Sequence, residues 1–362
     1  MKRPSDVPHT RLHHQRLTSP QFKKPADVVR WLGAVQAQEY SPAKWAIGQR
    51  MRRATDGAIE RAFAAGEILR THVLRPTWHF VAPEDIRWML ELTGPRVKAS
   101  IASYARNVSL DEVTFKRSQK VIERTLRGGR HMTRSALRQA LQRAGIPTDG
   151  IRAVLMLMRA ELDGLICSGP RAGKVFTYAL LEERVPRSRA LTRDEALMEL
   201  ARRYFTSRGP ATLQDFVWWS GLTTADARSG IEMAGSDLSR DVIDGSVCWL
   251  PSSARAVRRT PGAAHLLPVY DEYLVAYKDR SAVVDSRYCK PGTNLLFGST
   301  IVVNGRVAGT WKSTRSEHET LVTLSAFAPL TGRVRRAVDD AARRYGAFLG
   351  HAVRVATTAR SR

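Results

Sequence analysis

Cysteine is scarce in this 362-residue chain, and long apolar runs are absent. Cys167, Cys248 and Cys289 stand apart, with no CxxC pair and no neighbouring ligand histidine. This spacing argues against a zinc site and against a disulfide framework, so we expect three reduced thiols and no metal. No apolar run approaches about eighteen residues, and the first residues lack an apolar core segment, which predicts neither a membrane span nor a signal peptide.

Familiar catalytic motifs are also missing. The chain has no GxGxxG opening a βαβ unit, no P-loop, no HExxH and no GxSxG, so no cofactor is expected. Asp271 and Glu272 are neighbours in sequence. Because adjacent side chains generally diverge, we interpret them as structural polar groups rather than as an acid/base pair.

Negative charge is in short supply, and this points to a polyanionic partner. The chain has 34 acidic residues against 58 basic ones, of which 47 are arginine, and its net charge is +24. A field of this size attracts phosphate backbones, so double-stranded DNA is the first partner to test. Other polyanions, a membrane surface, ribosome association or an arginine-biased composition are the alternatives. We expect a cytoplasmic, nucleoid-associated protein with no membrane partner and no obligate protein partner.

The periodicity of the chain predicts an internal repeat of three helices followed by a hairpin. In the first copy the helices cover 25–36, 42–53 and 56–65, and alternating residues over 69–81 turn at Arg75-Pro76. The second copy has helices at 111–126, 133–144 and 148–163 before a hairpin with its tip at 169–173. The third copy has helices at 193–207, 213–220 and 224–234 before two further strands.

Three helices and a two-stranded wing are typical of a winged helix, which places a helix against DNA. The alternative is a set of protein-contact modules, and the helix over 148–163 is apolar enough that we expect it to pack in a core. After Pro261 the chain becomes β-rich, with Asn304-Gly305 as a hairpin turn and a final helix near 331–349. The predicted fold is α+β, with domains at 1–95, 96–186, 187–260 and 261–362.

Gln36 and Gln38 are candidates for chemistry. On a helix they diverge, whereas on an extended segment they share one face; we expect the first helix to end near Gln36, so that both amides enter one cleft. A glutamine does not ionise, but its amide can hold a water and stabilise positive charge developing on a sugar. This suits a leaving group that needs no protonation, such as an N7-alkylated purine. The alternative is a pair of capping or packing glutamines.

Four separated segments, WLGAVQAQEYSPAKWAIGQR, LRTHVLRPTWHFVAPEDIRWML, LLPVYDEYLVAYKDR and FGSTIVVNGRVAGTW, resemble the AlkZ-like bacterial winged-helix DNA glycosylase family. The resemblance implies three tandem winged helices and a C-terminal β-barrel-like domain, arranged as a C-shaped clamp around DNA. It also implies that Gln36, Ala37 and Gln38 occupy the positions of a catalytic glutamine, aliphatic, glutamine motif, and that the hairpin over 301–311 reaches the DNA. Another branch of the family ends this motif with aspartate.

The resulting hypothesis is a monofunctional DNA glycosylase that hydrolyses the N-glycosidic bond of alkylated or crosslinked purines, with water as the nucleophile. Gln36 and Gln38 are the catalytic candidates, while Glu39, His72 and His79 are assisting candidates; the two histidines have a structural role as their alternative. A transcription regulator and a non-catalytic scaffold are the competing functions. The DNA-contact candidates are Arg75, Arg134, Arg138, Arg171, Lys174, Arg306, Lys312 and Arg315.

Overall fold

The computed structural model describes residues 6–185, 189–255, 257, 261–288, 295–316 and 319–358; Cys289 lies outside these ranges. The first helix, α1 (Val7–His14), is capped by the Asp6 carboxylate, which accepts a hydrogen bond from the backbone N–H of His9. A first unit follows, in which β3 lies between β1 and β2 in an antiparallel sheet. Its elements are α2 (Pro25–Leu32), β1 (Ala34–Gln36), α3 (Tyr40–Gly48), α4 (Asp56–Ala65), β2 (Leu69–His72) and β3 (Trp78–Val81).

A long helix, α5 (Ile86–Asn107), connects the first unit to the second and crosses the predicted boundary between residues 95 and 96. The second unit repeats the order of the first, and its sheet order, β4-β6-β5, corresponds to β1-β3-β2. Its elements are α6 (Glu112–Leu126), β4 (Met132–Thr133), α7 (Arg134–Arg143), α8 (Arg152–Leu162), β5 (Ile166–Ser168), β6 (Thr177–Leu180) and the short α9 (Leu181–Arg184).

The third unit keeps the same order, with its first strand reduced to a single bridge between Ala211 and Trp249. Thr192 and Thr212 begin two of its helices with reciprocal capping boxes, which satisfy N–H groups that the first helical turn leaves unpaired. Its elements are α10 (Arg193–Arg208), α11 (Leu213–Ser220), α12 (Thr224–Ala234), β7 (Leu238–Ile243) and β8 (Ser246–Pro251).

The C-terminal unit contains a five-stranded mixed sheet of order β13-β12-β11-β10-β9, in which only β12 and β13 are parallel. As described, β9 and β13 are its two edges, so the strands form an open sheet and not a closed barrel. Its elements are β9 (Ala264–Leu267), α13 (Glu272–Val275), β10 (Ser299–Val303), β11 (Arg306–Arg315), β12 (Glu319–Ala326), α14 (Gly332–Leu349) and β13 (Ala352–Thr357).

The predicted mixed α+β class is confirmed, and three helices followed by a hairpin occur in each of the first three units. The predicted end of the first helix is wrong. The helix stops at Leu32, and Ala34–Gln36 form strand β1 because they pair with β3 and bury all three residues. Tertiary pairing therefore outweighs the local helical pattern at this point.

The units share hydrophobic cores, which fixes how they meet around β1. One core joins the first and third units and includes Leu74, Phe205 and Trp219. A second core joins the first unit to the C-terminal unit through residues such as Trp45 and Phe348. Since β1 contributes Ala34 to the first core and Val35 to the second, the strand that carries Gln36 is anchored from both sides.

Candidate active site

The Gln36-Ala37-Gln38 motif lies on the edge strand β1 and on the turn that leads into α3. One edge of β1 pairs with β3, and this pairing continues to Ala37, whose N–H donates to the Trp78 carbonyl at 2.7 Å. The backbone groups of Ala34 and Gln36 on the free edge must find other partners, because a buried polar group without one is costly. Those partners come from distant parts of the chain.

Glu272 and Arg208 supply the missing partners of β1. The Glu272 Oε1 accepts the backbone N–H of Gln36 at 2.9 Å. Its Oε2 accepts hydrogen bonds from Arg208 Nη2 at 2.5 Å and from the Trp219 indole N–H at 3.0 Å. Arg208 also donates to the carbonyls of Leu32 and Ala34. A fully buried ion pair with all these bonds made is rigid, so it holds the motif in one position.

Arg75, in the turn between β2 and β3, holds the side chain of Gln36. Its Nη2 donates to the Gln36 Oε1 at 2.9 Å and lies 3.5 Å from the His79 Nε2. Burial lowers the pKa of Arg75 to about 10, while the nearby Glu272 carboxylate opposes that shift. The guanidinium is therefore still a cation at neutral pH, and it remains a donor.

Gln38 faces the same turn but is held more loosely. Its Oε1 lies 3.4 Å from the backbone N–H of Trp78, and the side chain is half-buried. Arg70 supports this part of the motif from behind: its Nε donates to the Ala37 carbonyl at 2.9 Å, and its guanidinium lies over the Trp78 ring. Both glutamines thus direct their amide oxygens toward the β2–β3 turn. Glu39, the next residue, is exposed at the start of α3.

The two histidines of the first hairpin are buried. His72 Nδ1 lies 2.5 Å from a Glu161 carboxylate oxygen of α8, and its ring packs on Trp78 at a centroid distance of 4.3 Å. His79 Nδ1 donates to the Thr77 carbonyl at 2.9 Å, which leaves Nε2 as an acceptor facing Arg75. Burial and the adjacent guanidinium hold the pKa of His79 well below its usual value. These contacts favour the structural alternative for both rings.

The DNA-contact candidates fall into two groups. Arg75 and Arg171 have partners within the protein: Arg75 bonds to Gln36, and Arg171 donates to the Lys174 carbonyl at 2.8 Å and pairs with Glu60 at 3.4 Å. The remaining candidates have exposed side chains, although Arg138 Nε also donates to the Thr148 hydroxyl at 3.2 Å, and their role in binding DNA stays a prediction. They are Arg134, Arg138, Lys174, Arg306, Lys312 and Arg315.

The predicted hairpin turn at Asn304-Gly305 is present, with both residues at positive φ, 50° and 77°. The turn packs inward: the Gly305 carbonyl accepts a hydrogen bond from the Tyr273 hydroxyl at 2.7 Å, and a Cβ at Gly305 would lie 2.6 Å from Pro8. The turn itself is therefore covered by α1. Arg306, directly after it, stays exposed, as do Lys312 and Arg315 farther along β11.

Sequence reasoning missed the residues that hold the site. It interpreted Glu272 as a structural polar group, which agrees with its buried ion pair, but it did not connect Glu272 with Gln36, 236 positions earlier. Arg208 and Trp219 carried no signal at all, since their contacts to the motif depend on the packing of the third unit against the first. Within the described ranges, no group of three His, Cys, Asp or Glu side chains is arranged to hold a metal. No helix in those ranges is long and apolar enough to cross a membrane.

Known proteins are similar to this chain both in sequence and in fold. A curated relative from Streptomyces sahachiroi, named as an interstrand DNA cross-link repair glycosylase, is 25% identical over 304 residues, which are 79% of this chain and 81% of the relative. The solved structure of the Streptomyces sahachiroi DNA glycosylase AlkZ is similar with a TM-score of 0.75 and 22% identity, over 97% of this chain and 98% of that one. At 22% identity, the similarity to this solved structure shows a shared fold and nothing further.

The protein class is that of the DNA glycosylases, enzymes that remove bases from DNA. A family profile described as DNA glycosylase AlkZ-like matches residues 29–348. The chain belongs to the AlkZ-like DNA glycosylase family, and the predicted DNA glycosylase activity is thereby confirmed over the regulator and scaffold alternatives.

Proposed function

We propose that this glycosylase hydrolyses the N-glycosidic bond of N7-alkylated purines in double-stranded DNA, including purines joined in interstrand crosslinks, in DNA repair or self-resistance. The observation that carries the proposal is the pair of uncharged amides, Gln36 and Gln38, built on a strand anchored by the buried Glu272. The relative from Streptomyces sahachiroi, named as an interstrand DNA cross-link repair glycosylase, supports the crosslinked substrate.

The chemistry of this substrate fits a site without a strong general acid. An N7-alkylated purine is cationic, so when the bond from C1′ breaks, its electron pair neutralises the departing base. Water forms the new bond to C1′ and afterwards loses a proton to solvent. The protein therefore has to hold water and stabilise an oxocarbenium-like sugar, and oriented amide dipoles can do both. Glu39 is the assisting carboxylate in this scheme, since the contacts of His72 and His79 favour a structural role for both rings.

We further propose a monofunctional mechanism, without a Schiff base. Lys44 is the lysine nearest to the motif in sequence, and its buried Nζ bonds to Asp56 at 2.8 Å and to Glu60 at 2.9 Å. With its Nζ bonded to two carboxylates, this lysine is not free to attack a sugar. The enzyme accordingly releases the free base and leaves an abasic site, and we expect it to need no cofactor and no obligate protein partner.

The DNA partner is proposed to lie in a C-shaped clamp made by three winged-helix domains and the C-terminal domain with its open sheet. The proposed boundaries are near 95, within the connecting helix α5, and near 186 and 260. The excess of basic residues, 58 against 34, supports contact with phosphates along such a surface. The basic side chains that we assign to it are Arg134, Arg138, Arg171, Lys174, Arg306, Lys312 and Arg315. We place the enzyme at the cytoplasmic nucleoid.

A product analysis tests this proposal. Duplex DNA carrying N7-methylguanine is incubated with the protein, and free base and abasic sites are quantified by chromatography, with borohydride added in a parallel reaction. We expect release of the free methylated base, strand breaks only after alkali, and no covalent protein–DNA adduct. An adduct trapped by borohydride would overturn the monofunctional mechanism. Release confined to other lesions would overturn the proposed substrate class.

A further inference from the structure

We infer that Arg75 is a positioning residue that gives the two glutamines different tasks. In this account Gln36 presents its NH₂ group to the substrate, while Gln38 uses its carbonyl oxygen to hold the attacking water. The inference rests on the proposed catalytic role of both glutamines and goes beyond it, because that role alone treats the two amides as equivalent.

The orientation of the Gln36 amide follows from the chemistry of its partner. A guanidinium has five N–H donors and no acceptor, so the Gln36 atom that lies 2.9 Å from Arg75 Nη2 must be the carbonyl oxygen. The NH₂ group is then the end of the amide that remains available to the substrate. A hydrogen bond from a charged donor is about twice as strong as one between neutral groups, so this orientation is strongly preferred.

Gln38 is held in a different way. The contact of its Oε1 with the Trp78 N–H is 3.4 Å long, near the limit of a hydrogen bond, and the donor is neutral. A carbonyl oxygen with such a weak partner keeps most of its capacity to accept a hydrogen bond from water. The Gln36 oxygen, already polarised toward a cation, is the poorer acceptor. The two amides therefore present opposite ends to the reaction.

The surroundings of Arg75 are built to keep it in place. The turn that carries it packs against the third unit, where the Leu74 carbonyl lies so close to Gly221 that a Cβ there would come within 2.2 Å of the oxygen. Leu74 itself has a positive φ of 64°, which a leucine adopts only when the surrounding structure requires it. The Arg75 guanidinium is also attracted electrostatically by the Glu272 carboxylate.

A direct phosphate contact is the rival role for Arg75, and the two roles predict different measurements. A phosphate contact supports DNA affinity, and its loss reduces the salt dependence of binding by about one unit of slope. A positioning role acts through Gln36, so its loss lowers the rate of base release from bound DNA and leaves affinity nearly constant. A double-mutant cycle separates them, since coupled residues give non-additive effects.

The experiment measures single-turnover release of N7-methylguanine at saturating enzyme, together with the duplex Kd, for Arg75→Ala, Gln36→Ala, Gln38→Ala and the two double variants that contain Arg75→Ala. We expect Arg75→Ala to slow release about as much as Gln36→Ala, on the order of 10 to 10³-fold. Adding Gln36→Ala to Arg75→Ala should slow it by less than about threefold more, whereas adding Gln38→Ala should slow it further, to about the rate of the Gln36→Ala/Gln38→Ala double variant.

Two further variants control for a loss of rate that is caused only by misfolding. Arg75→Lys retains a cationic donor and should recover a large part of the rate. Arg184→Ala is the matched control: Arg184 is also half-buried and makes a 2.9 Å bond from Nη2, but to the Phe63 carbonyl, so the rate should match wild type. If Arg75→Ala fails to fold, the same cycle is run with Arg75→Met, which keeps an aliphatic stem in the turn but has no donor for Gln36.

A separate measurement tests whether Gln36 and Gln38 have different tasks. Gln36→Glu keeps an acceptor for Arg75 but loses the NH₂ donor, whereas Gln38→Glu keeps an acceptor oxygen for water. We expect release by Gln36→Glu to be at least about 10-fold slower than release by Gln38→Glu, by the usual weight of one oriented polar group. Equal rates, or the reverse order, would overturn the inference.

The failure of this inference can be told apart from the failure of the proposed function. If Gln36→Ala and Gln38→Ala both release base at the wild-type rate, the proposed catalytic motif is wrong. If both are slow but Arg75→Ala is additive with each of them and raises the duplex Kd, the motif stands and Arg75 is a phosphate contact.

Discussion

Gln36 and Gln38 carry side chains that do not ionise, and the histidine beside them is kept neutral by burial and by the Arg75 cation. The fixed charges of the site, Arg75, Arg208 and Glu272, belong to groups that are bonded to one another or to the motif. At the residue scale, the site therefore contains oriented amide dipoles, and its charged groups are bonded to one another or to the motif.

The first prediction concerns pH. The lowered pKa of His79 keeps that ring neutral as pH rises from about 6 to 9, and the pKa of Arg75, about 10, keeps the guanidinium protonated over the same range. The enzymatic rate of base release should therefore show no steep titration there. Since the alkylated guanine itself ionises near neutrality, the enzymatic rate is divided by the spontaneous rate measured in the same buffers. A slope of one in the logarithm of that ratio would show that a titrating group of the enzyme exchanges a proton in the reaction.

At the scale of elements, the β2–β3 turn is the part on which the site depends most, because it contacts both glutamines and packs on the third unit. Gly221, at the end of α11, has φ 70° and touches the Leu74 carbonyl. A glycine is required here both by its backbone conformation and by the close approach.

The second prediction follows from that contact. Gly221→Ala should destabilise the protein by about 1 to 3 kcal/mol, the usual cost of a strained left-handed residue. It should also displace the turn and slow base release from bound DNA. Chemical denaturation and single-turnover rates check both. As a control, Gly350→Ala also replaces a left-handed glycine at a helix end, with φ 73°, but nothing lies near its Cβ. A stable Gly221→Ala protein with the wild-type rate would show that the turn tolerates movement.

The third prediction concerns the exposed basic residues of β11. Arg306 follows the covered turn, whereas Lys312 and Arg315 are exposed farther along the strand. Each replacement by alanine should weaken duplex binding while changing stability by less than about 0.5 kcal/mol, as is usual for surface positions. Duplex Kd values and thermal unfolding measure the two effects. If Arg306→Ala changes neither binding nor base release, the turn at Asn304-Gly305 has only a structural role.

Elements with clear local signals could be predicted from the sequence. Thr133 caps α7 at the start of the helix predicted over 133–144. The helices α4, α11 and α12 have the predicted bounds, because a threonine cap and a glycine end mark each of the three. Strand β1 could not be predicted, since a three-residue strand is defined only by its pairing with β3. The glutamine motif could be recognised because its residues are adjacent in sequence. The residues that orient it, Glu272 and Arg75, could not be connected with it, because their contacts to Gln36 depend on the tertiary fold.

At the scale of the whole molecule, the net charge of +24 is spread over a chain whose units share cores around the motif. Part of that charge is used internally, as in the buried pairs Arg50–Asp271 and Arg208–Glu272. The surplus remains on exposed arginines and lysines, where it can attract phosphate.

The fourth prediction tests this surplus. Affinity for an undamaged duplex should fall on the order of 10³-fold as salt rises from about 50 to 200 mM, if roughly six phosphates are neutralised. Fluorescence anisotropy at several salt concentrations gives the slope. A flat response would remove electrostatic attraction as the basis of DNA binding.

The central claim is that Gln36 and Gln38 perform the chemistry, and single-turnover release from one N7-methylguanine duplex tests it most directly. Gln36→Ala and Gln38→Ala should each slow release by about 10 to 10³-fold while the duplex Kd stays nearly constant. The double variant should lose less than the product of the two single effects, because both amides serve one reaction. Rates equal to wild type in all three variants would contradict the account and leave the glutamines as structural residues.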